Sequence, residues 1–233
     1  MDAVVMAAGE GTRLRPLTEL WPKPLLPIDG RPVIATLLRE LAAAGCERAF
    51  VVTGHLAGQV EDLVGDGSGY GIEARFVRQP GVLGSADTVC RALAAGVRAP
   101  FLVVAADTVF RTGDVGRFAR AFAESGAAGA MSARSDPPAD PPHRPGLEVV
   151  DGLVVTPVDR DPSNRLGSAP LWAFGEELVP FLDDLAGPPY ELADAFAHAI
   201  AAGLAIAGVG IGKTRDLTHP VDLVRENFPY LGS

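Results

Sequence analysis

The 233 residues carry a 48% apolar share and a net charge of −9, enough apolar material for a sizeable core but no electrostatic footprint for nucleic acid. Two cysteines, Cys46 and Cys90, exclude a disulfide framework and a clustered zinc site, and both read as reduced, buried thiols. One compact domain over residues 1–233 is expected.

The opening Met1-Asp2-Ala3-Val4-Val5-Met6 has no basic n-region and runs straight into a strand pattern, so it reads as structure and not as a secretory signal. A cytoplasmic location with no membrane partner follows. Apolar runs at 3–7, 49–53, 74–77 and 101–105 are short and bounded by turn signals, the pattern of strands buried on both faces. Helical patterns lie between them. Pro32 opens one, with Val33, Ile34, Leu37, Leu38 and Leu41 at helical spacing and Gly45 as its cap; 56–64 and 85–95 repeat the theme, the last with Ser85 as N-cap. Alternating strands and helices predict an α/β fold, a Rossmann-like, mostly parallel sheet flanked by helices, with ligands at the carboxyl ends of its strands.

The second half reads as less regular. A Pro-rich loop spans 136–145, a hairpin turns at Asp151-Gly152, and a loop follows at 161–164. Residues 195–212 hold no charge over nearly a membrane-span length, but Gly203 divides them into a helix and a short apolar strand. This half is expected to cover the sheet edge and to form the second substrate's pocket, giving a nucleotide-binding half over 1–110 and an acceptor-binding half over 111–233.

The chemistry concentrates after the first strand, in Ala7-Ala8-Gly9-Glu10-Gly11-Thr12-Arg13-Leu14-Arg15-Pro16-Leu17-Thr18 and Trp21-Pro22-Lys23-Pro24-Leu25-Leu26-Pro27-Ile28. Glycines 9 and 11 let backbone N–H groups approach an anion, and Arg13 and Lys23 bring positive charge to the same place. Of twenty basic residues only two are lysines, Lys23 and Lys213. An ammonium is a compact charge able to follow a phosphoryl oxygen, whereas a guanidinium is a fork suited to static clamping. A polyphosphate ligand is implied. The segment lacks the Gly-Lys-Ser/Thr of a Walker A loop and the third glycine of a dinucleotide fingerprint. His55, His143, His198 and His219 form neither a metal-ligand pair nor part of a hydrolytic triad, and structural roles are expected for them.

Gly9 to Arg13, Pro16-Leu17-Thr18 and Pro22-Lys23-Pro24-Leu25 together closely resemble the signature of the sugar nucleotidyltransferase family, strongly over residues 1–110 and weakly beyond. The resemblance implies a Mg²⁺-dependent transfer of a nucleotidyl group from a nucleoside triphosphate to a phosphorylated small-molecule acceptor, with release of pyrophosphate. Backbone from Ala8 through Gly9, Glu10 and Gly11 to Thr12 would hold the triphosphate, with Arg13 and Lys23 as the catalytic cations. Asp107, at the end of the strand 101–106, and Asp216, in Thr214-Arg215-Asp216-Leu217-Thr218-His219-Pro220-Val221-Asp222-Leu223, would be the metal ligands. Thr214, Thr218 and His219 stand where the family pattern has Trp, Gly and Thr, and Asp222 reads as a first-turn helix carboxylate.

Gln79, in Arg78-Gln79-Pro80, and Gly84-Ser85 resemble the family's nucleobase segments; a glutamine amide can pair with uracil or thymine, so dTTP or UTP is expected. Arg160, in Asp159-Arg160-Asp161-Pro162, stands where the family has an acceptor-binding lysine. Glu191, in Tyr190-Glu191-Leu192-Ala193-Asp194, resembles a sugar-binding glutamate or begins a helix. Pro170-Leu171-Trp172-Ala173-Phe174 lacks the glycine of the corresponding family segment. A hexose-1-phosphate acceptor is expected; an amino-sugar, cyclitol or choline phosphate with another nucleotide, or a noncatalytic sensor on the same fold, are the alternatives. Long family members add a C-terminal extension; with Phe228-Pro229-Tyr230 close to the last residue, none is expected, and a monomer and a homo-oligomer are both open.

Overall fold

The computed structural model describes residues 1–135, 146–161, 163–183 and 185–228. The Pro-rich loop with His143, and also Pro162, Pro229 and Tyr230, lie outside the described residues.

In chain order the elements are β1 (Asp2–Ala7), α1 (Leu17–Leu20), β2 (Pro27–Ile28), β3 (Arg31–Pro32), α2 (Val33–Ala43), β4 (Arg48–Thr53), α3 (Ala57–Val64), β5 (Glu73–Arg78), α4 (Ser85–Ala94), β6 (Phe101–Ala105), β7 (Thr108–Val109), α5 (Asp114–Ser125), β8 (Gly129–Arg134), β9 (Gly146–Val150), β10 (Leu153–Asp159), β11 (Gly167–Phe174), α6 (Leu192–Ala201), β12 (Ile206–Ile211), β13 (Arg215–Asp216) and α7 (Pro220–Asn227). Nine strands form one sheet in the order β5-β4-β1-β6-β11-β8-β12-β10-β9. Its first four strands are parallel, as the alternating pattern predicts. Beyond them the sheet is mixed: β11 runs antiparallel to both β6 and β8, while β12 returns parallel to β8. The second half therefore continues the sheet as well as covering it.

Alternation along the strands feeds two cores. Ala3, Val5 and Ala7 of β1 join Ile34, Leu38 and Leu41 of α2 and Phe118 of α5 on one face. Val4 of the same strand joins Val89 of α4 and Phe196 of α6 on the other. With both faces covered, the strands read as continuous apolar runs. The uncharged stretch 195–212 resolves into part of α6 followed by β12, and among the described residues no helix is long and apolar enough to cross a membrane. Asp151 and Gly152 both have positive φ, 51° and 80°, the signature of a type I′ hairpin turn between β9 and β10.

A third, smaller core of Leu14, Leu26, Ile28, Val33 and Leu217 lies apart from these two. Each of its members is a near neighbour in sequence of a predicted site residue or of the arm that carries one.

Candidate active site

The loop after β1 is built to keep its backbone open. Gly11 has φ +63°, and a Cβ placed there would lie 2.9 Å from Thr18 Cγ2, so glycine is required on both conformational and steric grounds. Buried Thr18 pins the loop by donating its hydroxyl to the Gly11 carbonyl at 2.9 Å. His55 Nε2 lies 2.6 Å from the Thr18 carbonyl; a carbonyl only accepts, so this nitrogen carries the proton. His55 N–H donates to Ala8 O at 3.3 Å, tying the same loop to the end of β4. Around Gly9, by contrast, a Cβ would meet nothing within 4 Å. Glu10 is exposed and pairs with Arg15 at 3.0 Å.

A cavity of about 240 Å³ opens beside this loop, at the carboxyl ends of β1 and β6. Gly9, Gly11, Thr12, Arg13, Lys23, Asp107 and Thr218 are among its lining residues. Lys23 Nζ lies 2.5 Å from Asp107 Oδ2; with side chains 13% and 33% exposed, the pair is only partly screened by solvent. Exposed Arg13 makes no hydrogen bond or ion pair among the described residues, so its guanidinium is available to an anion.

Asp216 reaches this region through a two-stranded ribbon in which it stands opposite Thr108, the neighbour of Asp107. Thr218 donates its hydroxyl to Asp216 Oδ2 at 3.0 Å. Buried Thr214 accepts a bond from Arg134 Nη1 at 2.7 Å, which fastens the segment to the end of β8. Asp222 closes a capping box, accepting from the His219 and Thr218 backbones at 2.7 and 2.9 Å, as its reading as a first-turn carboxylate anticipates.

The predicted nucleobase and acceptor residues lie outside this cavity's lining. Gln79 is buried, its Nε2 donating to Asp87 Oδ2 at 2.8 Å and its Oε1 accepting from Thr88 at 2.9 Å. Each end of the amide thus holds one bond to the first turn of α4, and breaking one to turn the amide toward a base costs on the order of 1–3 kcal/mol. Ser85 is not the N-cap of α4: Gly84 occupies that position with φ 110°. A Cβ on Gly84 would lie 2.2 Å from Tyr190 O, so its bare backbone serves the approach of the Tyr190–Glu191 strap. Ser85 donates to Glu191 Oε2 at 2.5 Å and accepts from Leu192 N at 2.9 Å, so a predicted nucleotide residue and a predicted acceptor residue meet directly. Exposed Arg160 follows β10, whose last residue, Asp159, stands opposite Gly146; Gly146 in turn stands opposite Gly167, and Gly167 opposite Arg134. Two strands, β9 and β11, thus stand between β10, which Arg160 follows, and Arg134 at the carboxyl end of β8.

Asp107, in the turn just before β7, and Asp216, on the partner strand β13, are hard oxygen donors, a set that fits Mg²⁺, which takes one or two carboxylates and completes its shell with phosphate and water. No group of three or more His, Cys, Asp or Glu side chains suited to a metal occurs among the described residues.

A glycine loop, an available arginine and a lysine–carboxylate pair at the carboxyl edge of parallel strands make an α/β protein with a site suited in its chemistry to an anion. The chain belongs to the nucleotidyl transferase family, whose model matches residues 2–152. It is 41% identical over 110 residues to the N-acetylmuramate alpha-1-phosphate uridylyltransferase of Neisseria meningitidis, a match covering 47% of this chain and 48% of that one; the chain thus spans about half the length of that relative. A Bacillus anthracis structure assigned as a glucose-1-phosphate thymidylyltransferase superposes with TM-score 0.86 at 19% identity, over 97% of this chain and 94% of that one. The inositol-1-phosphate CTP transferase of T. maritima superposes with TM-score 0.79 at 19% identity, over 95% and 90%. At such identities these two structures speak for the fold alone.

Proposed function

We propose that this protein transfers a nucleotidyl group from a nucleoside triphosphate to a sugar-1-phosphate, releasing pyrophosphate. The observation that carries this reading is the cavity that gathers Gly9, Gly11, Arg13, Lys23 and Asp107 at one sheet edge. An acceptor phosphate oxygen attacks the α-phosphorus in line and the pyrophosphate oxygen leaves, so the chain's contribution is positioning and charge compensation.

In this reading the Ala8–Thr12 backbone holds the triphosphate, Lys23 compensates the charge that develops on the α-phosphoryl group, and Arg13 does so for the departing pyrophosphate. Asp107 and Asp216 would hold Mg²⁺, which when bound would screen the phosphate charges. Glu191 and Arg160 contribute to acceptor binding, as the family resemblance implies. UTP or dTTP is the proposed donor. Support for UTP comes from the uridylyltransferase relative.

The test is pyrophosphate release with Mg²⁺ across five nucleoside triphosphates and a panel of hexose, amino-sugar and cyclitol phosphates, with Lys23→Ala as control. Turnover of a UTP or dTTP pair with a sugar-1-phosphate, lost in the variant, is expected. Nucleotide binding without pyrophosphate release on any pair would refute the catalytic reading.

A further inference from the structure

The ribbon β7–β13 has only two residues per strand, too short to hold itself in place, yet it carries the second proposed metal ligand. Side chains alternate across it. Val109 and Arg215, opposite each other, line a separate cavity with Ile28 and Asp29, which leaves Asp216 and Thr108 on the side of the active-site cavity.

Arg215 occupies the point where three segments converge. Its Nη1 and Nη2 donate to Asp29 Oδ2 and Oδ1 at 2.5 and 2.9 Å, a bidentate fork. Its Nε donates to Glu226 Oε2, and its Nη2 also reaches the Glu226 carbonyl at 3.2 Å. Asp29 sits in the turn between β2 and β3, on the arm that begins at Lys23, with φ 52° beside Gly30 at 70°, the Asp-Gly pair of a type I′ hairpin turn. The same turn is bound to α7 by Gly30 N donating to Asn227 Oδ1 and Asn227 Nδ2 donating to Pro27 O, both at 2.8 Å.

We propose that Arg215 is a positioning residue that locks the Asp216 strand to the Lys23 arm, so that cation site and phosphoryl site keep a fixed spacing. This rests on the roles given above to Asp216 and Lys23. The Asp29 side chain is 66% exposed, and exposed ion pairs contribute little to stability. The value of the fork is therefore geometric. A lysine would keep the charge but could not bridge two carboxylates with directed bonds.

The test uses the full chain, comparing wild type with Arg215→Lys and Asp29→Asn, the latter breaking the fork without touching the metal strand. Mn²⁺ affinity is read by electron paramagnetic resonance in the presence of the nucleotide, alongside the half-saturating Mg²⁺ for pyrophosphate release and the melting temperature. Both variants are expected to weaken Mn²⁺ and raise the Mg²⁺ requirement roughly tenfold, the scale of losing a group that orients a metal ligand, with melting temperatures near wild type. Unchanged cation dependence in both variants, beside an active wild type, overturns this role alone. A wild type with neither Mn²⁺ binding nor pyrophosphate release overturns the reading of the site and this role with it. A large melting loss in both variants would make the fork a stability element and overturn the positioning role.

Discussion

Lys23 Nζ and Asp107 Oδ2 stand 2.5 Å apart although 84 positions separate them in sequence. The contact joins the signature arm to the end of β6, and each group meets its counter-charge where a phosphate and a divalent cation would compete for them. Lys23→Ala is expected to lower kcat by about 10²–10³, the loss typical of one charge-stabilising donor. Lys23→Arg is expected to recover little, because a planar fork does not replace a compact ammonium. The double variant with Asp107→Asn should fall short of the product of the single effects, since the two groups are in contact. Steady-state pyrophosphate release on the wild type, the three single variants and the double variant checks all three expectations.

Gly9 and Gly11 separate binding from folding within one loop. A methyl at Gly11 meets Thr18 Cγ2 at 2.9 Å and forces an L residue to φ +63°, so Gly11→Ala should destabilise the protein by about 1–2 kcal/mol or more. Gly9→Ala has open space around it and should leave the melting temperature unchanged while raising KM for the nucleotide. Thermal melts and nucleotide titrations on the two variants distinguish the sites.

The parallel half was legible because β1, β4 and β6 are covered on both faces, and such strands announce themselves as apolar runs. β8 could not be found that way: Gly129–Arg134 is buried throughout, but its glycine, serine and arginine carry no apolar signal. β11 escapes because its partners β6 and β8 both precede it by many residues, and local pattern does not encode that pairing. Arg13 and Lys23 stood out by residue type beside the glycines, Asp107 through the family resemblance, and all three line one cavity. Gln79 shows the limit. The amide chemistry that suits a base suits Asp87 and Thr88 equally, and only packing reveals which partner it takes. The role of Arg215 has no sequence signal, because Asp29 and Glu226 reach it only through the fold.

That packing makes Gln79 and Gly84 tests of stability. Gln79→Ala removes one bond from Asp87, which keeps Arg91, and one from Thr88, which keeps Gly84 O, so a loss of about 1 kcal/mol is expected. Gly84→Ala drives a methyl to 2.2 Å from Tyr190 O, so the Tyr190–Glu191 strap must separate from α4. Its signature should be faster hydrogen exchange at Ala86 N, Tyr190 N and Leu192 N, the amides that bond across this junction.

Cys46 gives the protein an alkaline limit with a definite sign. Burial pushes its thiol from 9.0 up to about 11, with the N-terminal ammonium opposing the rise and Asp2 adding to it. The folded state therefore keeps the proton where the unfolded chain has lost it. The associated stability is fully present below about pH 9 and is lost as pH rises through about 11, since the unfolded state gains by forming thiolate. A rise of that size is worth roughly 2–3 kcal/mol. Denaturant unfolding at pH 8 and pH 11 should show that loss in wild type and a smaller one in Cys46→Ala; comparing the two proteins at each pH removes the contribution of the other groups that titrate in this range. An equal loss in both would assign the alkaline limit to those other groups. The same burial predicts that a thiol reagent at pH 8 modifies Cys46 only on unfolding.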